Sequence, residues 1–357
     1  MSNLLDHIKS WFGISQDARP EGGAAPHASL SPDAPAELLP DDTARKGRLP
    51  DSDLVTPQEA KYLHELFLGS ALGLDLQLLP GPDRAASALI RQQLKGLATP
   101  EGRRRAVPRL PAVVPLFLRS LRDPNSSATD FVEIISRDPV LTTNVLRLVN
   151  SAFYNPSGRD IDSIHRAVVV LGLDGLRFAV SSAVMHPILE TANSDFAAFG
   201  PALWQHSQDC ALICQVLAPR AGAQAFEAYL TGMVHEVGTV TLFNQLSGAC
   251  RAAGLPAADC LVHAFQVHGN TLCAEIVKDW QMPTNIINAV TDQATSPPAA
   301  STLGGLLERA NQLAEAYFLR SRNETQTLPG TFFASEEAMN FFERISAMRA
   351  KISAASG

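Results

Sequence analysis

The amino-acid sequence predicts an all-α protein. Apolar residues recur at helical spacing along most of the chain after Pro57, capping residues stand ahead of several of these runs, and strand patterns are nearly absent. The one β-prone run is VVV at 168–170, whose neighbours keep the helical period. The chain has 357 residues, of which 46% are hydrophobic and 18% charged. This predicts a helical body of about ten or more helices.

The first 56 residues are predicted to lie outside this body. Residues 13–56 are rich in proline and contain no aromatic residue, which predicts a disordered linker. Residues 1–12 can form a short amphipathic helix that docks on a partner or on the chain's own body. A helix this short is marginal alone, which favours a frayed terminus. Its apolar face consists of Leu4, Leu5, Ile8, Trp11 and Phe12.

Residues 57–105 are predicted to hold two helices and part of a basic connector. Pro57–Gly69 has Thr56 as its cap and proline at its first position, and Ala85–Leu97 follows. The connector, PEGRRRAVPRLP, spans residues 100–111. It can bind an anion or an acidic partner, but such a run is typical of a solvated surface loop, which is the prediction here. Its arginines are Arg103, Arg104, Arg105 and Arg109.

Start and stop signals divide the helices that follow. Ser127 and Asp130 have the form of a capping box, Asp138-Pro139 separates two helices, and Asp162-Ser163 caps the next, which Gly172 closes. Residues 301–357 add C-terminal helices whose apolar faces are expected to pack on the body. Predicted helices between 113 and 352 include Val113–Leu121, Leu176–Val184, Phe226–His235, Thr239–Leu246, Asn270–Trp280, Asn285–Gln293, Leu303–Tyr317 and Glu336–Ile352.

Charge and motif content exclude several classes of function. The 29 basic and 36 acidic residues give a net charge of −7, which weighs against nucleic-acid binding because phosphate affinity depends on cations. The dinucleotide fingerprint, the P-loop and G-x-S-x-G are all absent. Five cysteines without a C-x-x-C pair indicate reduced thiols. With neither a signal peptide nor an uninterrupted 18-residue apolar stretch, the sequence predicts a cytoplasmic protein without a transmembrane segment.

The strongest candidate for chemistry is His206 together with His235-Glu236. Two imidazoles and one carboxylate can hold a zinc, iron or manganese ion, whose open coordination position would activate water. The favoured alternative is that both histidines are core residues that hydrogen-bond between helices. Cys210 and Cys214 share a helix stripe with His206. Because three ligands on that stripe would span about 12 Å, both thiols are predicted to be core side chains.

Four further side chains are assigned structural roles. Trp204 and Trp280 are predicted to pack in the core, although either can line a base-stacking pocket. Asp209 and Asp292 are predicted to be solvated charges on helix faces.

Six segments between residues 106 and 300 carry a family pattern, in which NSAFY at 150–154 and the spaced residues of 163–172 are the most specific parts. The segments are RLPAVVPLFLRSL (109–121), DPVLTTNVLRLVNSAFY (138–154), SIHRAVVVLGLDGLR (163–177), LWQHS (203–207), YLTGMVHEVG (229–238) and DWQMP (279–283). Together they resemble the HDOD domain, a helical relative of the HD metal-dependent phosphohydrolases. The resemblance covers roughly half of the chain and implies an HDOD body at 106–300.

The resemblance also implies a metal site that has lost part of its ligand set. HD hydrolases hold metal with a His, a His-Asp pair and a later Asp. His206 and His235 match the two histidines, whereas Glu236 stands in place of the first Asp and Asn311 in place of the last. The extra methylene of Glu236 displaces its carboxylate by ~1.5 Å, and the Asn311 amide is neutral. The expected site is therefore vestigial, with no metal, no other cofactor and no catalytic residue.

The function that the resemblance implies is a non-catalytic regulatory module of bacterial signal transduction. It is expected to bind a protein partner, and a nucleotide messenger in the former catalytic cleft is the second candidate ligand. The alternative is a phosphohydrolase or phosphodiesterase with a rearranged metal site made of His206, His235 and Glu236. Such an enzyme needs cations to clamp a phosphate, and the nearby sequence offers Lys278 and Arg251.

Overall fold

The fold is all-α, as predicted. The computed structural model describes residues 55–74, 84–97, 99–108, 113–122, 126–151, 154–155, 158–189, 197–253, 258–295, 301–324 and, between 338 and 347, all but 340 and 344. The predicted helix at 1–12 and nearly all of the predicted linker lie outside these residues. Thirteen helices and no strand occur within them: α1 (Pro57–Ala71), α2 (Arg84–Leu97), α3 (Pro100–Ala106), α4 (Val113–Arg122), α5 (Ala128–Ser136), α6 (Pro139–Val149), α7 (Ile164–Leu189), α8 (Phe199–Ala221), α9 (Ala225–Val234), α10 (Val237–Ala253), α11 (Ala258–Asp279), α12 (Thr284–Gln293) and α13 (Thr302–Ser321).

Local capping starts several of these helices where the sequence predicts. Thr56 Oγ1 accepts from the backbone N–H of Glu59 at 3.3 Å, and the Glu59 carboxylate accepts from the Thr56 N–H at 2.7 Å. Ser127 and Asp130 form the same reciprocal pair at 3.3 and 2.7 Å. Asp138 Oδ1 accepts from the backbone N–H groups of Val140 and Leu141 in the first turn of α6. These bonds satisfy backbone donors that the first turn of a helix leaves without partners.

The predicted surface loop at 100–111 is wrong for its first half, which forms α3. Thr99 caps this helix by accepting from the Gly102 N–H at 3.1 Å, and Pro100 occupies a first-turn position that needs no donor. The arginines at 103–105 then fall in the last turn, where cations stabilise the negative end of the helix dipole. The arginine run is therefore held on a helix.

Asn150, the first residue of the NSAFY segment, has a structural role. It is the C-cap of α6, one residue after the helix ends at Val149. Its Nδ2 donates to Ile161 O at 2.9 Å, and its Oδ1 accepts from Ile161 N at 2.8 Å. Through these two bonds, one amide side chain ties the end of α6 to the residues that lead into α7.

α7 is bent at Gly172, which adopts φ 73° inside a helix of 26 residues. The predicted stop at Gly172 is confirmed, since φ 73° and ψ 175° break the helix there. The second helical part follows directly, ahead of its predicted start at Leu176. By length and composition alone α7 could cross a membrane, but half of its most apolar stretch is buried inside the fold. Core helices of soluble proteins have the same composition.

The C-terminal helical residues pack on α13, as expected. Tyr317 Oη lies 3.0 Å from Ser346 Oγ, and the Tyr317 and Phe342 ring centroids are 5.9 Å apart. Ala338 and Ile345 are also buried. The apolar face of this segment is therefore covered by the body.

Close helix packing places the end of α9 beside the middle of α8. A Cβ added to Gly232 in α9 would lie 2.6 Å from Ala211 Cα in α8. The backbones of the two helices therefore touch at this point, and only glycine fits. α13 packs on both α8 and α9, and α1 packs on α13.

Gly232→Ala is expected to lower the free energy of unfolding by about 2 kcal/mol, because the two backbones must separate to admit the methyl group. Urea denaturation measures the change. Gly305→Ala on α13 is the matched control, since nothing lies within 4 Å of its added Cβ. The control should be neutral or stabilising by up to about 1 kcal/mol. Equal effects of the two substitutions would contradict the close approach of α8 and α9.

Candidate functional site

The four residues singled out by the family pattern meet where α8, α9 and α13 converge. His206 lies in α8, His235 is the C-cap of α9, Glu236 follows it, and Asn311 lies in α13. The two Nε2 atoms are 3.2 Å apart, and Asn311 Oδ1 is 2.8 Å from His206 Nε2 and 3.1 Å from His235 Nε2. Glu236 Oε1 lies 3.8 and 3.5 Å from the same nitrogens. We call these four residues the histidine cluster.

Neighbouring hydrogen bonds determine where the protons of the cluster lie. His235 Nδ1 is 2.7 Å from Gly232 O, which can only accept, so a neutral His235 carries its proton on Nδ1 and turns a lone pair inward on Nε2. Asn311 Nδ2 donates to Glu315 Oε1 at 3.0 Å, which turns Oδ1 towards the histidines. The proton on His206 Nε2 is then shared between Asn311 Oδ1 and His235 Nε2. One proton therefore occupies the centre of the cluster.

His206 is held as a neutral ring. It is fully buried, and the Phe67 ring of α1 lies 4.2 Å from it, centroid to centroid. Burial, followed by the neighbouring His235, lowers the pKa of His206 well below its usual value, although the hydrogen bond to Asn311 opposes this shift. Its Nδ1 is buried without a hydrogen-bond partner among the described residues. His206 therefore acts as a hydrogen-bond donor through Nε2 alone.

A partly buried ion pair next to the cluster was not predicted from the sequence, with Glu315 buried and the His64 side chain 23% exposed. His64 Nδ1 of α1 lies 2.5 Å from Glu315 Oε1 of α13, and the Glu315 side chain is 1% exposed. Burial by itself lowers the pKa of His64, but the charge and hydrogen bond of Glu315 outweigh it and raise the pKa to about 9. His64 is therefore protonated at neutral pH. No sequence signal links His64 to Glu315, because the two residues are 251 positions apart.

The spacing of the cluster is compatible with a divalent metal ion, which the HD arrangement would require. Two adjacent ligands, each about 2.1 Å from one ion, are about 3.0 Å apart in an octahedral site and about 3.4 Å apart in a tetrahedral one. The separations among His206 Nε2, His235 Nε2 and Asn311 Oδ1 are 2.8 to 3.2 Å. Ligand atoms of His206, His235 and Glu236 also lie within 4.8 Å of one another.

The chemistry of these donors fits a resident metal poorly. The oxygen nearest the two imidazoles belongs to the neutral amide of Asn311, and the Glu236 carboxylate is farther from both. A metal-bound imidazole donates its other N–H to an acceptor, but His206 Nδ1 faces none among the described residues. An ion would also have to displace the central proton. The residues present therefore do not fit a catalytic metal, despite their spacing.

The prediction that Asp209 and Asp292 are solvated charges is wrong. Asp209 is fully buried in α8, and Gln205 Nε2 lies 3.3 and 3.4 Å from its two carboxylate oxygens. Asp292 is also buried, and its carboxylate accepts from the backbone N–H of Ser301 at 3.0 Å and from the Ser301 hydroxyl. Hydrogen bonds from these partners offset part of the cost of burying each carboxylate. Helical periodicity alone does not show that the two aspartates are buried.

Core roles for Trp280 and for two thiols are confirmed. Trp280 is buried, and its indole N–H donates to Pro108 O at 3.3 Å. Trp204 is half-buried, with its ring edge-on to His186 at 4.7 Å. Cys210 and Cys214 are fully buried, and burial raises the pKa of the Cys210 thiol well above its usual value. Neither thiol has the surroundings of a nucleophile.

Comparison with known proteins identifies relatives of this chain. The HDOD domain family matches residues 107–296. An uncharacterized protein of Treponema pallidum (strain Nichols) is 25% identical over 202 residues, which cover 54% of this chain and 38% of that protein. The chain therefore spans well under half the length of this relative.

Two solved structures share the fold. An HDOD domain protein with unknown function from Geobacter sulfurreducens has a TM-score of 0.53 and 21% identity, and covers 75% of this chain and 96% of its own. A protein from Marinobacter aquaeolei VT8, proposed to act in signal transduction, has a TM-score of 0.53 and 19% identity, and covers 79% and 68%. With the family match over more than half of its length, the chain belongs to the HDOD domain family.

Proposed function

We propose that this protein is a non-catalytic regulatory module of bacterial signal transduction that acts in the cytoplasm by binding a protein partner. The observation that carries the proposal is the closure of the histidine cluster by its own hydrogen bonds. A metal-dependent hydrolase needs an open coordination position and access for substrate. His206, His235 and Glu236 are 0, 8 and 3% exposed, and α1 covers His206 through Phe67.

Charge around the cluster also supports a non-catalytic role. Two carboxylates, Glu236 and Glu315, lie within it or beside it, and His64 pairs with Glu315. A phosphoester brought to this place would meet negative charge. Lys278, one of the cations that the sequence suggested as a clamp, is exposed in the last turn of α11. A protein partner is therefore favoured over a nucleotide messenger in the former cleft, and the net charge of −7 suits a basic surface on that partner.

Metal analysis of the purified full chain tests the non-catalytic assignment. After dialysis against metal-free buffer, we expect zinc, iron and manganese at far below one ion per chain by plasma mass spectrometry. Hydrolysis of bis(p-nitrophenyl) phosphate should not exceed that of the His235→Ala variant. His235→Ala should lower the unfolding midpoint, because it leaves the proton of His206 Nε2 with one acceptor fewer.

The second candidate function is a metal-dependent phosphohydrolase, which the 2.8–3.2 Å spacing of the donors favours. It predicts near-stoichiometric metal that is lost in His235→Ala together with hydrolysis. His165→Ala is the control, because His165 is exposed on α7. If metal and hydrolysis persist in His165→Ala and vanish in His235→Ala, the protein is an enzyme and the non-catalytic assignment is wrong.

Affinity capture tests the partner. The tagged full chain, expressed in its native host and cross-linked before lysis, should recover the same protein in replicate experiments, and that protein should bind the purified chain directly. Loss of this binding above about 0.5 M salt is expected if the contact is electrostatic. Failure to recover any protein beyond those of a tag-only control would contradict the proposal.

A further inference from the structure

A cavity lies between the end of α2, α3 and the second half of α11. Its volume is about 270 Å³. Three of its side chains can donate hydrogen bonds, and the other three are apolar. Its lining consists of Leu97, Arg103, Val267, His268, Thr271 and Leu272.

Arg103 is built into the wall of this cavity. It is half-buried in the last turn of α3, and its Nη1 donates to Leu97 O at 3.1 Å, which holds the guanidinium against the end of α2. A guanidinium carries five N–H donors in a rigid fork, so it can hold this carbonyl and an anion together. The structure therefore gives one arginine of the basic connector a fixed position.

Arg103 and His268 face the cavity together. Burial lowers the pKa of His268, and the neighbouring His263 and Arg103 lower it further, so at neutral pH the ring offers an uncharged N–H donor beside the Arg103 cation. Thr271, one turn along α11 from Val267, adds a hydroxyl that can donate to an anion. The cation, imidazole and hydroxyl all line one small space.

We propose that this cavity binds a small organic anion, a phosphate monoester or a carboxylate, that carries one apolar ring or short chain. The anionic group contacts Arg103, His268 and Thr271, and the apolar part packs against Leu97 and Leu272. The volume equals that of about nine water molecules in the liquid. A single-ring anion fits this volume, whereas a dinucleotide is far too large for it.

Such a ligand would contact both the segment that matches the HDOD family and the residues that precede it. Arg103 precedes the segment that matches the HDOD family, and His268 lies within it. A bound anion would therefore strengthen the contact of α3 with α11. The proposal is independent of the function proposed above, because none of the lining residues belongs to the histidine cluster.

Binding of phenyl phosphate and benzoate to the full chain tests the proposal. By calorimetry, at least one of these anions should bind, and the neutral analogue benzyl alcohol should not. Tighter binding of phenyl phosphate would indicate a phosphate site, and tighter binding of benzoate would indicate a carboxylate site. Arg103→Gln should weaken binding about ten- to a hundredfold through the loss of charge-assisted hydrogen bonds. Arg105→Gln is the matched control, since it removes the same charge from an exposed position on the same helix, and it should change binding less than about twofold.

Thr271→Val keeps the proposal testable if Arg103→Gln does not fold, as judged by circular dichroism. It should weaken binding about fivefold or more, because it removes a donor but keeps the shape. Nuclear magnetic resonance should show the His268 ring signals shifting on titration with the bound anion. Absence of binding by both anions, equal binding of benzyl alcohol, or an equal loss in Arg103→Gln and Arg105→Gln would each overturn the assignment.

Discussion

His64→Ala is expected to lower the free energy of unfolding by about 3 kcal/mol near neutral pH. Glu315 is 1% exposed, and its carboxylate oxygen accepts from both His64 and Asn311. Removing the imidazolium leaves a buried negative charge without its counter-charge, which is among the most destabilising changes a single substitution can make. Urea denaturation at pH 7 measures the loss.

The same ion pair gives stability a defined dependence on pH. The pKa of His64 is about 9 in the folded protein, compared with an ordinary value of 6.5. Because the folded state binds this proton more tightly, the contribution is fully present below pH 6.5 and is lost as the pH rises through 9. With partial solvent exposure taken into account, the loss should be about 2 kcal/mol. His206 acts in the opposite direction, since its lowered pKa means that its contribution is lost as the pH falls below 6.5.

Lys61→Ala is the matched control for His64→Ala. Lys61 lies on the same helix and forms an exposed ion pair with Glu65 at 3.9 Å. Its removal should cost less than about 0.5 kcal/mol and should leave the pH profile unchanged. The role assigned to His64 is wrong if His64→Ala keeps the decline in stability between pH 6.5 and 9 that the wild-type protein shows.

Asn311→Asp is expected to convert the histidine cluster into a cation site. The new carboxylate would face both Nε2 atoms and would also lie beside Glu315, where the Asn311 amide now donates at 3.0 Å. Without metal, the two carboxylates repel, and we expect a loss of about 3 kcal/mol. A divalent cation would relieve the repulsion. At a hundredfold excess over its Kd, it would restore about 2.7 kcal/mol.

Thermal unfolding with and without Zn²⁺ or Mn²⁺ measures this conversion. The wild-type midpoint should not respond to metal, whereas that of Asn311→Asp should rise by about 5 to 10 °C. Asn244→Asp, an exposed substitution on α10 with the same change of charge, should behave as the wild type does. An equal metal response in the wild type and in Asn311→Asp would show that the amide is already an adequate ligand, and the chemical argument against a metal would then fail.

Features encoded in short segments of sequence were the most predictable. The capping residues Thr56, Ser127 and Asp138 hydrogen-bond to backbone groups within three positions along the chain. Both partners of each bond are therefore visible in the local sequence. The family pattern predicted that His206 and His235 lie close together. Helical periodicity alone could not have predicted it, because periodicity does not show which helices are neighbours. The α8–α9 contact at Gly232 is what makes this proximity possible.

Features that depend on contacts distant in sequence were not predictable. His64 and Glu315 are 251 positions apart, and neither carries a motif. Asp209 and Asp292 were predicted to be surface charges although their partners, Gln205 and Ser301, are only four and nine positions away. Their burial depends on how other helices pack around them, which the local sequence does not show. The loop predicted for the arginines at 103–105 is a different kind of error, because the helix that carries them starts from local signals, the Thr99 cap and Pro100 at the first position.

The cover that α1 and α13 place over the histidine cluster comes from outside the segment that matches the family model. That segment runs from 107 to 296, whereas Phe67, His64, Asn311 and Glu315 all fall outside it. A polypeptide trimmed to 107–296 would keep both imidazoles and Glu236, but it would lose Asn311, the Glu315 carboxylate and the Phe67 ring. The boundaries of a family match are therefore a poor guide to where this chain can be cut, because its centre is completed by flanking sequence.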